Sequence, residues 1–314
     1  MKNKTKKIFI LTPLIILLCL VGVYFLFPGV MFDFLKTAER SAAGLKQKSV
    51  QVNGLRIEYL EGGKGDPLVL LHGFGANKDN WTRFAKHLTS HFRVIALDLP
   101  GFGESSLAPD GDYRTHVQAE RLKAFIRALG IESFHLGGNS MGGNIAGVYA
   151  SLYPEDLKSL LLIAPGGIVS SEPSEMFLLL KDGKPNPLVA ENIEDYERLL
   201  DFVFVKRPFI PRAIKEHLIQ EAIEHQSTNR KIFKQLRSST DDPPLEAMLK
   251  DLPVPTLIVW GGQDRVLHVS GAKILEAVMP HAKTAVMNSV GHLPMIEKPE
   301  EAAALYSGFI EQTP

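Results

Sequence analysis

Cysteine is nearly absent from this 314-residue chain, which holds one, Cys19. No intrachain disulfide can form, and zinc modules built on several cysteines are excluded. Surplus charge is lacking as well. Thirty-five Lys+Arg stand against 35 Asp+Glu, for a formal net charge of +0, whereas a general nucleic-acid binder needs a basic excess. The ten histidines include no H-E-x-x-H pair, so no metal site is expected. Gly62-Gly63-Lys64-Gly65 lacks the spacing of a phosphate loop. There is neither an internal repeat nor a low-complexity tract. Apolar residues, by contrast, make up 45% of the chain, which is ample for a buried core and excludes global disorder. The length allows one large domain or two small ones.

The apolar residues are not evenly spread. Between residues 8 and 27 only Thr12, Pro13 and Gly22 fall outside the apolar class, and a run of about 20 such residues spans the ~30 Å hydrocarbon core of a bilayer. The Phe27-Pro28-Gly29 exit does not resemble a small-residue cleavage site, and bulky Leu18 before Cys19 argues against a lipoprotein anchor. Residues 8–27 are therefore expected to be an uncleaved transmembrane signal anchor. Lys2, Lys4, Lys6 and Lys7 crowd its N-terminal side, which holds a basic tail, 1–7, in the cytoplasm and sends the remainder across the membrane, to the periplasmic face in a bacterium. Residues 28–47 read as a juxtamembrane linker.

The body alternates strand and helix signals. Val50 and Val52, then Leu55, Ile57 and Tyr59, alternate around Asn53-Gly54, as in a hairpin closed by a type I′ turn. Short continuous apolar runs follow at 68–71, 94–97, 134–136, 160–164, 256–260 and 284–287, as expected of parallel strands buried on both faces. Helical spacing appears between them, at Trp81, Phe84, Ala85 and Leu88, and again from Val117 to Leu129 with Gly130 as its stop. The expected fold class is α/β: a mostly parallel central sheet with helices on both faces, entered through an antiparallel hairpin. Core residues are expected at 48–167 and 251–314. Residues 168–250 show only charged helical segments, near 193–204 and 212–225, and read as an inserted helical cap.

Gly138-Asn139-Ser140-Met141-Gly142 fits G-x-S-x-G. It follows an apolar strand and precedes a helix-like run, the setting in which a sharp strand-to-helix turn holds a serine hydroxyl clear of a sheet. A serine hydroxyl needs a base, and the base an orienting acid. On this architecture the order is serine, acid, histidine. Asp264 follows the strand 256–260 and His292 follows 284–287, both at strand ends where such sheets present chemistry. Ser140, Asp264 and His292 are thus the expected catalytic residues. Asp98, which ends the strand 94–97, is the rival acid, although DLPGFG reads as a turn-setting element. His87, His116, His217 and His225 fall in helical patterns and read as solvated surface; His135 reads as a packed strand residue. The backbone N–H groups of Phe74, in His72-Gly73-Phe74-Gly75, and of Met141 are the expected oxyanion donors.

These elements together resemble the α/β-hydrolase superfamily: HGFGANKDNW (72–81), DLPGFGE (98–104), GNSMGG (138–143), VWGGQDRV (259–266) and Gly291-His292. More narrowly, GNSMGGNIAGVYASLYP and WGGQDRVLHVSGA behind an apolar N-terminus look like the membrane-anchored monoacylglycerol lipases and related bacterial lipases and esterases. The resemblance implies an α/β-hydrolase fold with an inserted helical cap behind one transmembrane helix. It also implies a Ser140–Asp264–His292 triad and hydrolysis of lipid or small carboxylic esters without a cofactor. Phe202, Phe204, Val266, Leu267 and Leu293 are candidate acyl-pocket residues from their apolar character. GNSMGG and Pro165-Gly166-Gly167 also resemble the carbon–carbon bond hydrolases of ring-cleavage pathways. A non-catalytic hydrolase-like interaction module is the third possibility.

Overall fold

The computed structural model describes residues 27–210, 212–238 and 243–313. The chain enters through helix α1 (Pro28–Ala42) and the hairpin β1 (Leu45–Val52) and β2 (Leu55–Gly62), then continues into β3 (Asp66–Leu71), the short helix α2 (Thr82–Ala85) and β4 (Phe92–Leu97). Helix α3 (Thr115–Ala128), β5 (Phe134–Asn139), α4 (Met141–Leu152) and β6 (Leu157–Ile163) follow. Five helices come next: α5 (Glu175–Lys181), α6 (Ile193–Val203), α7 (Arg212–Glu224), α8 (Gln226–Ser238) and α9 (Leu245–Met248). The chain returns to the sheet with β7 (Thr256–Gly261), α10 (Ser270–Val278), β8 (Lys283–Met287), α11 (Pro294–Glu297) and α12 (Pro299–Glu311).

The described strands form one sheet in the order β1-β2-β4-β3-β5-β6-β7-β8. β1 pairs antiparallel with β2 and β2 with β4; every later pairing is parallel. Asn53 and Gly54 at the hairpin tip have φ of 51° and 80°, the left-handed values a type I′ turn requires, and the register sets Val52 against Leu55. The hairpin is longer than its alternation suggests, because β1 starts at Leu45.

The continuous apolar runs feed two cores, one on each face. In β3, Leu68 and Leu70 pack into one cluster with Trp81, Phe84 and Tyr306, while Val69 and Leu71 pack into the other with Phe125, Ile145 and Leu275. β6 and β7 divide likewise: Leu160, Leu162, Ile258 and Trp260 go one way and Leu161, Ile163, Leu257 and Val259 the other. Successive side chains of a strand point to opposite faces, so a strand covered on both sides must be apolar throughout.

Three expectations need correction or placement. Residues 28–47, expected as a linker, are α1 and the start of β1, because Arg40 on α1 is bound by Asp79 through two hydrogen bonds of 2.6 Å and by Gln47. The spacing from Trp81 to Leu88 gives only the four-residue α2 behind a 3₁₀ turn, Lys78–Trp81, that is capped by the Asn77 side chain. The expected transmembrane segment lies outside the described residues except for Phe27; among the described residues no helix is long and apolar enough to cross a membrane.

Candidate active site

Ser140 sits where β5 turns into α4, with φ 56° and ψ −117°. A side chain in this region is strained, and such strain persists only where the surroundings over-determine it. Here the Ser140 N–H donates to Ile163 O at 3.0 Å, and its carbonyl accepts from Asn144 N–H (3.0 Å) and Gly166 N–H (2.9 Å). The flanking glycines permit the sharp turn: a Cβ on Gly138 would lie 2.2 Å from Gly142 O, and one on Gly142 would lie 2.4 Å from Leu71 O. Small residues at these positions are what lets strand and helix cross so closely.

Asp264 and His292 are brought together from the ends of β7 and β8. His292 Nδ1 lies 2.7 Å from Asp264 Oδ2, and both side chains are buried. The other carboxylate oxygen, Oδ1, accepts the backbone N–H groups of Val266 at 2.8 Å and Leu267 at 3.0 Å. The loop after β7 therefore fixes the acid before the histidine meets it. The His292 backbone is held on both sides, its N–H by Val203 O at 2.9 Å and its carbonyl by Asn139 Nδ2 at 3.2 Å. Ser140 and His292 line one cavity. Among the described residues the serine hydroxyl makes no hydrogen bond.

The loop after β3 lies against the Ser140 turn: a Cβ on Gly73 would be 3.3 Å from Ser140 Cβ. His72 anchors this loop. Its Nε2 accepts Leu99 N–H at 3.0 Å, which leaves the proton on Nδ1, donated to Gly73 O at 2.7 Å. Burial holds this imidazole below its ordinary pKa and so neutral, against the opposing pull of Asp98. Phe74 lines the cavity and packs edge-on to Phe102 and Phe233. Neither Phe74 N–H nor Met141 N–H donates to another group among the described residues, as the first turn of a helix and a free loop donor allow.

Asp98, the rival acid, is bound elsewhere. Its Oδ1 accepts Lys78 N–H at 2.7 Å, and its Oδ2 accepts Lys78 Nζ at 2.6 Å and Glu104 N–H at 2.8 Å. The Asp98 side chain is 0% exposed and that of Lys78 1%. Removing one partner leaves the other charge buried and unpaired, which costs roughly 3–5 kcal/mol. Lys78→Met is therefore expected to lower the urea midpoint by that equivalent, and Lys78→Met with Asp98→Asn, which removes the stranded charge yet keeps an acceptor for the backbone N–H groups, to recover part of it.

Among the described residues no group of three or more His, Cys, Asp or Glu side chains could hold a metal ion. A family profile for the alpha/beta hydrolase fold matches residues 66–191. Lipase 1 of Psychrobacter immobilis is 38% identical over 277 residues, 86% of each chain. The chain belongs to the α/β-hydrolase family. A monoacylglycerol lipase of Xenopus laevis, abhd6-B, is 33% identical over 95% of this hydrolase and 92% of its own length. A solved membrane phospholipase A, described as a bacterial virulence factor, superposes with a TM-score of 0.89 at 43% identity, covering 98% of this chain and 99% of its own. These relatives fall in the classes that the motifs resemble.

The hydrolase's cavity, ≈ 470 Å³, opens between α1, the loop after β3 and the helices between β6 and β7. Of the five candidate acyl-pocket residues, Phe204 and Leu293 line it. Phe202 and Val266 do not line it but are buried in the apolar cluster behind that wall, which they share with Leu200, Val203 and Phe204; Leu267 packs against the cluster, and Arg265 lies 4.5 Å over the Phe202 ring. Two walls escaped the sequence. Phe32, Leu35, Lys36 and Glu39 come from α1, and Ile214, His217 and Leu218 come from α7. His217, expected in solvent, stacks on Phe32 at 4.1 Å, and His225 lines the cavity as well. Burial first, then Glu221 and Glu197, push the Tyr196 phenol on the cavity wall up to about 12, so it is neutral at working pH. In the sequence, the α1 wall shows only as the apolar-rich stretch 30–35, which reads equally as a membrane interface.

Proposed function

We propose that the protein is a membrane-tethered serine hydrolase of carboxylic esters, acting on acylglycerols or other acyl esters through an acyl-enzyme on Ser140. The observation that carries this reading is the paired Asp264 and His292, with the imidazole lining the same cavity as a strained, unbonded Ser140. His292 Nε2 takes the Ser140 proton as Oγ attacks the ester carbonyl. The charge developing on the carbonyl oxygen is met by Phe74 N–H and Met141 N–H, each donor being worth roughly 10²–10³ in rate. Collapse expels the alcohol, which takes the proton from His292. Water then loses a proton to His292 and attacks the acyl carbon, releasing the carboxylic acid and restoring the serine. No cofactor enters.

The cavity has two characters. Leu199, Leu200, Phe204, Ile214 and Leu218 under the cap suit an acyl chain; Lys36, Glu39, Asp79 and Arg83 at the α1 end suit a polar alcohol. Lys36 and Arg83 are each paired with a carboxylate. The named lipase relatives support lipid esters. Tethering rests on the apolar segment 8–27 with its lysine-rich N-terminal side, the catalytic body lying across the membrane. Val30 and Phe34 on α1, and Phe209 at 86% exposure on the cavity wall, are exposed large apolar side chains, consistent with a lipid-facing rim.

Turnover of aryl esters from acetyl to hexadecanoyl, and of a monoacylglycerol, tests the reading. Octanoyl and longer chains are expected to give a higher kcat/KM than acetyl, by about tenfold or more on the ~0.8 kcal/mol of each buried methylene. A preference for acetyl overturns the lipid assignment.

A further inference from the structure

The cap does not rest loosely on the core. At its junction with the histidine loop, three backbone donors converge on one carboxylate, that of Glu297 on α11. Its Oε2 accepts Gly291 N–H at 3.0 Å and Val205 N–H at 3.3 Å, and its Oε1 accepts Lys206 N–H at 2.7 Å. Gly291 immediately precedes His292; Val205 and Lys206 follow the last turn of α6 in the cap. The two segments also touch directly. His292 N–H donates to Val203 O, and a Cβ on Gly291 would lie 2.6 Å from that same oxygen, so only glycine admits the cap this close. The acid loop is bound to the same stretch of cap: Arg265 donates to Asp201 O at 3.0 Å and pairs with Glu175 on α5 through two 2.6 Å bonds.

We propose that Glu297 is a positioning residue: its carboxylate joins cap residues 203–206 to the Gly291-His292 loop, so the seating of the cap sets where the imidazole stands relative to Ser140. The proposal rests on the reading of Ser140 and His292 as nucleophile and base. Val203 and Phe204 of the joined segment line the cavity, as do Leu293 and Ile296 on the histidine side. An acyl chain under the cap therefore presses on the segment that holds His292. The cap is a structural part of the proton-transfer apparatus, and a hinge that swung residues 203–206 away would release the histidine loop.

The test compares wild type, Glu297→Ala, Glu297→Gln and Lys206→Pro, the last deleting the cap-side N–H, as full-length chains in detergent. Reactive serines are counted with a fluorophosphonate, and kcat per titrated serine and KM are measured on aryl butyrate, whose short chain makes little use of the cap. Glu297→Ala is expected to lower kcat per titrated serine ~10- to 100-fold, the scale of a misplaced catalytic group, with KM within about twofold. Lys206→Pro should lower it too, and the double variant should be no worse than the poorer single, because both cut one link. Glu297→Gln keeps the volume but turns an NH₂ toward one of the donors, so it should fall between wild type and alanine; it carries the test should Glu297→Ala fail to fold. A kcat per titrated serine within twofold of wild type in the folded Glu297 variant, or multiplying losses in the double variant, overturns the proposal. A wild-type protein that hydrolyses the ester with no serine titrated overturns the Ser140 reading instead.

Discussion

Ser140→Ala is expected to remove ester turnover almost completely, by on the order of 10⁶ in kcat, while leaving the fold intact. The size follows from what is lost. Without Oγ there is no acyl-enzyme, and His292 is left with no proton to take at the attacking atom. What survives is whatever binding and the free donors of Phe74 and Met141 do for direct attack by water, about 10³–10⁴ over solution. The fold should tolerate the change because the Ser140 backbone, not its hydroxyl, makes the hydrogen bonds to Ile163, Asn144 and Gly166. Alanine keeps the φ of 56° strained in the same way. Steady-state turnover of an aryl octanoate, with circular dichroism as the control for folding, measures it. Turnover unchanged by the substitution would sink the mechanism.

Asp264→Asn should cost about 10⁴ in kcat with little effect on stability. The asparagine oxygen can keep the bonds that Oδ1 now accepts from Val266 and Leu267. Its NH₂ then occupies the position of Oδ2, 2.7 Å from His292 Nδ1. Two donors cannot face one another, so Nδ1 must become the acceptor and the ring proton moves to Nε2. The imidazole then presents a proton toward the serine where it should accept one. Because the fault is a wrong tautomer, the loss should fall on kcat and kcat/KM together and leave KM for an aryl ester nearly unchanged. Asp98→Asn, by contrast, should act on stability through the buried Lys78 and spare the histidine. A loss of only a few-fold in Asp264→Asn would remove Asp264 from the mechanism.

The sheet was legible because a parallel strand covered on both faces is apolar nearly throughout: the runs 68–71, 94–97 and 160–164 are wholly apolar, and 134–136 and 256–260 are broken only by His135 and Thr256, whereas 284–287 forms the edge strand β8, in which only Met287 is buried. The turn at Ser140 was legible for a similar reason: Gly138, Ser140 and Gly142 are tied together by sterics acting over five residues. Helix boundaries fared less well where tertiary contacts override spacing. The Trp81–Leu88 periodicity serves burial of Trp81, Phe84 and Leu88 against the sheet, which a 3₁₀ turn and a single helical turn satisfy as well as a long helix. The stretch after the apolar N-terminus read as a linker, yet the ion pair of Arg40 with Asp79 binds it to the loop beyond β3.

What short-range patterns encode was therefore legible in the chain itself: the α/β fold class from its apolar runs, and the sharp turn at Ser140 from its flanking glycines. Two acids stand at strand ends, and chain order favoured Asp264 over Asp98, which precedes Ser140. The folded sheet sets Asp264 against His292 and encloses Asp98 with Lys78, a pairing that no local pattern can show. The cavity walls were likewise a tertiary matter. Phe32 meets His217, and Val203 meets His292, across separations no periodicity can encode, because the meeting depends on where the sheet carries each helix and loop.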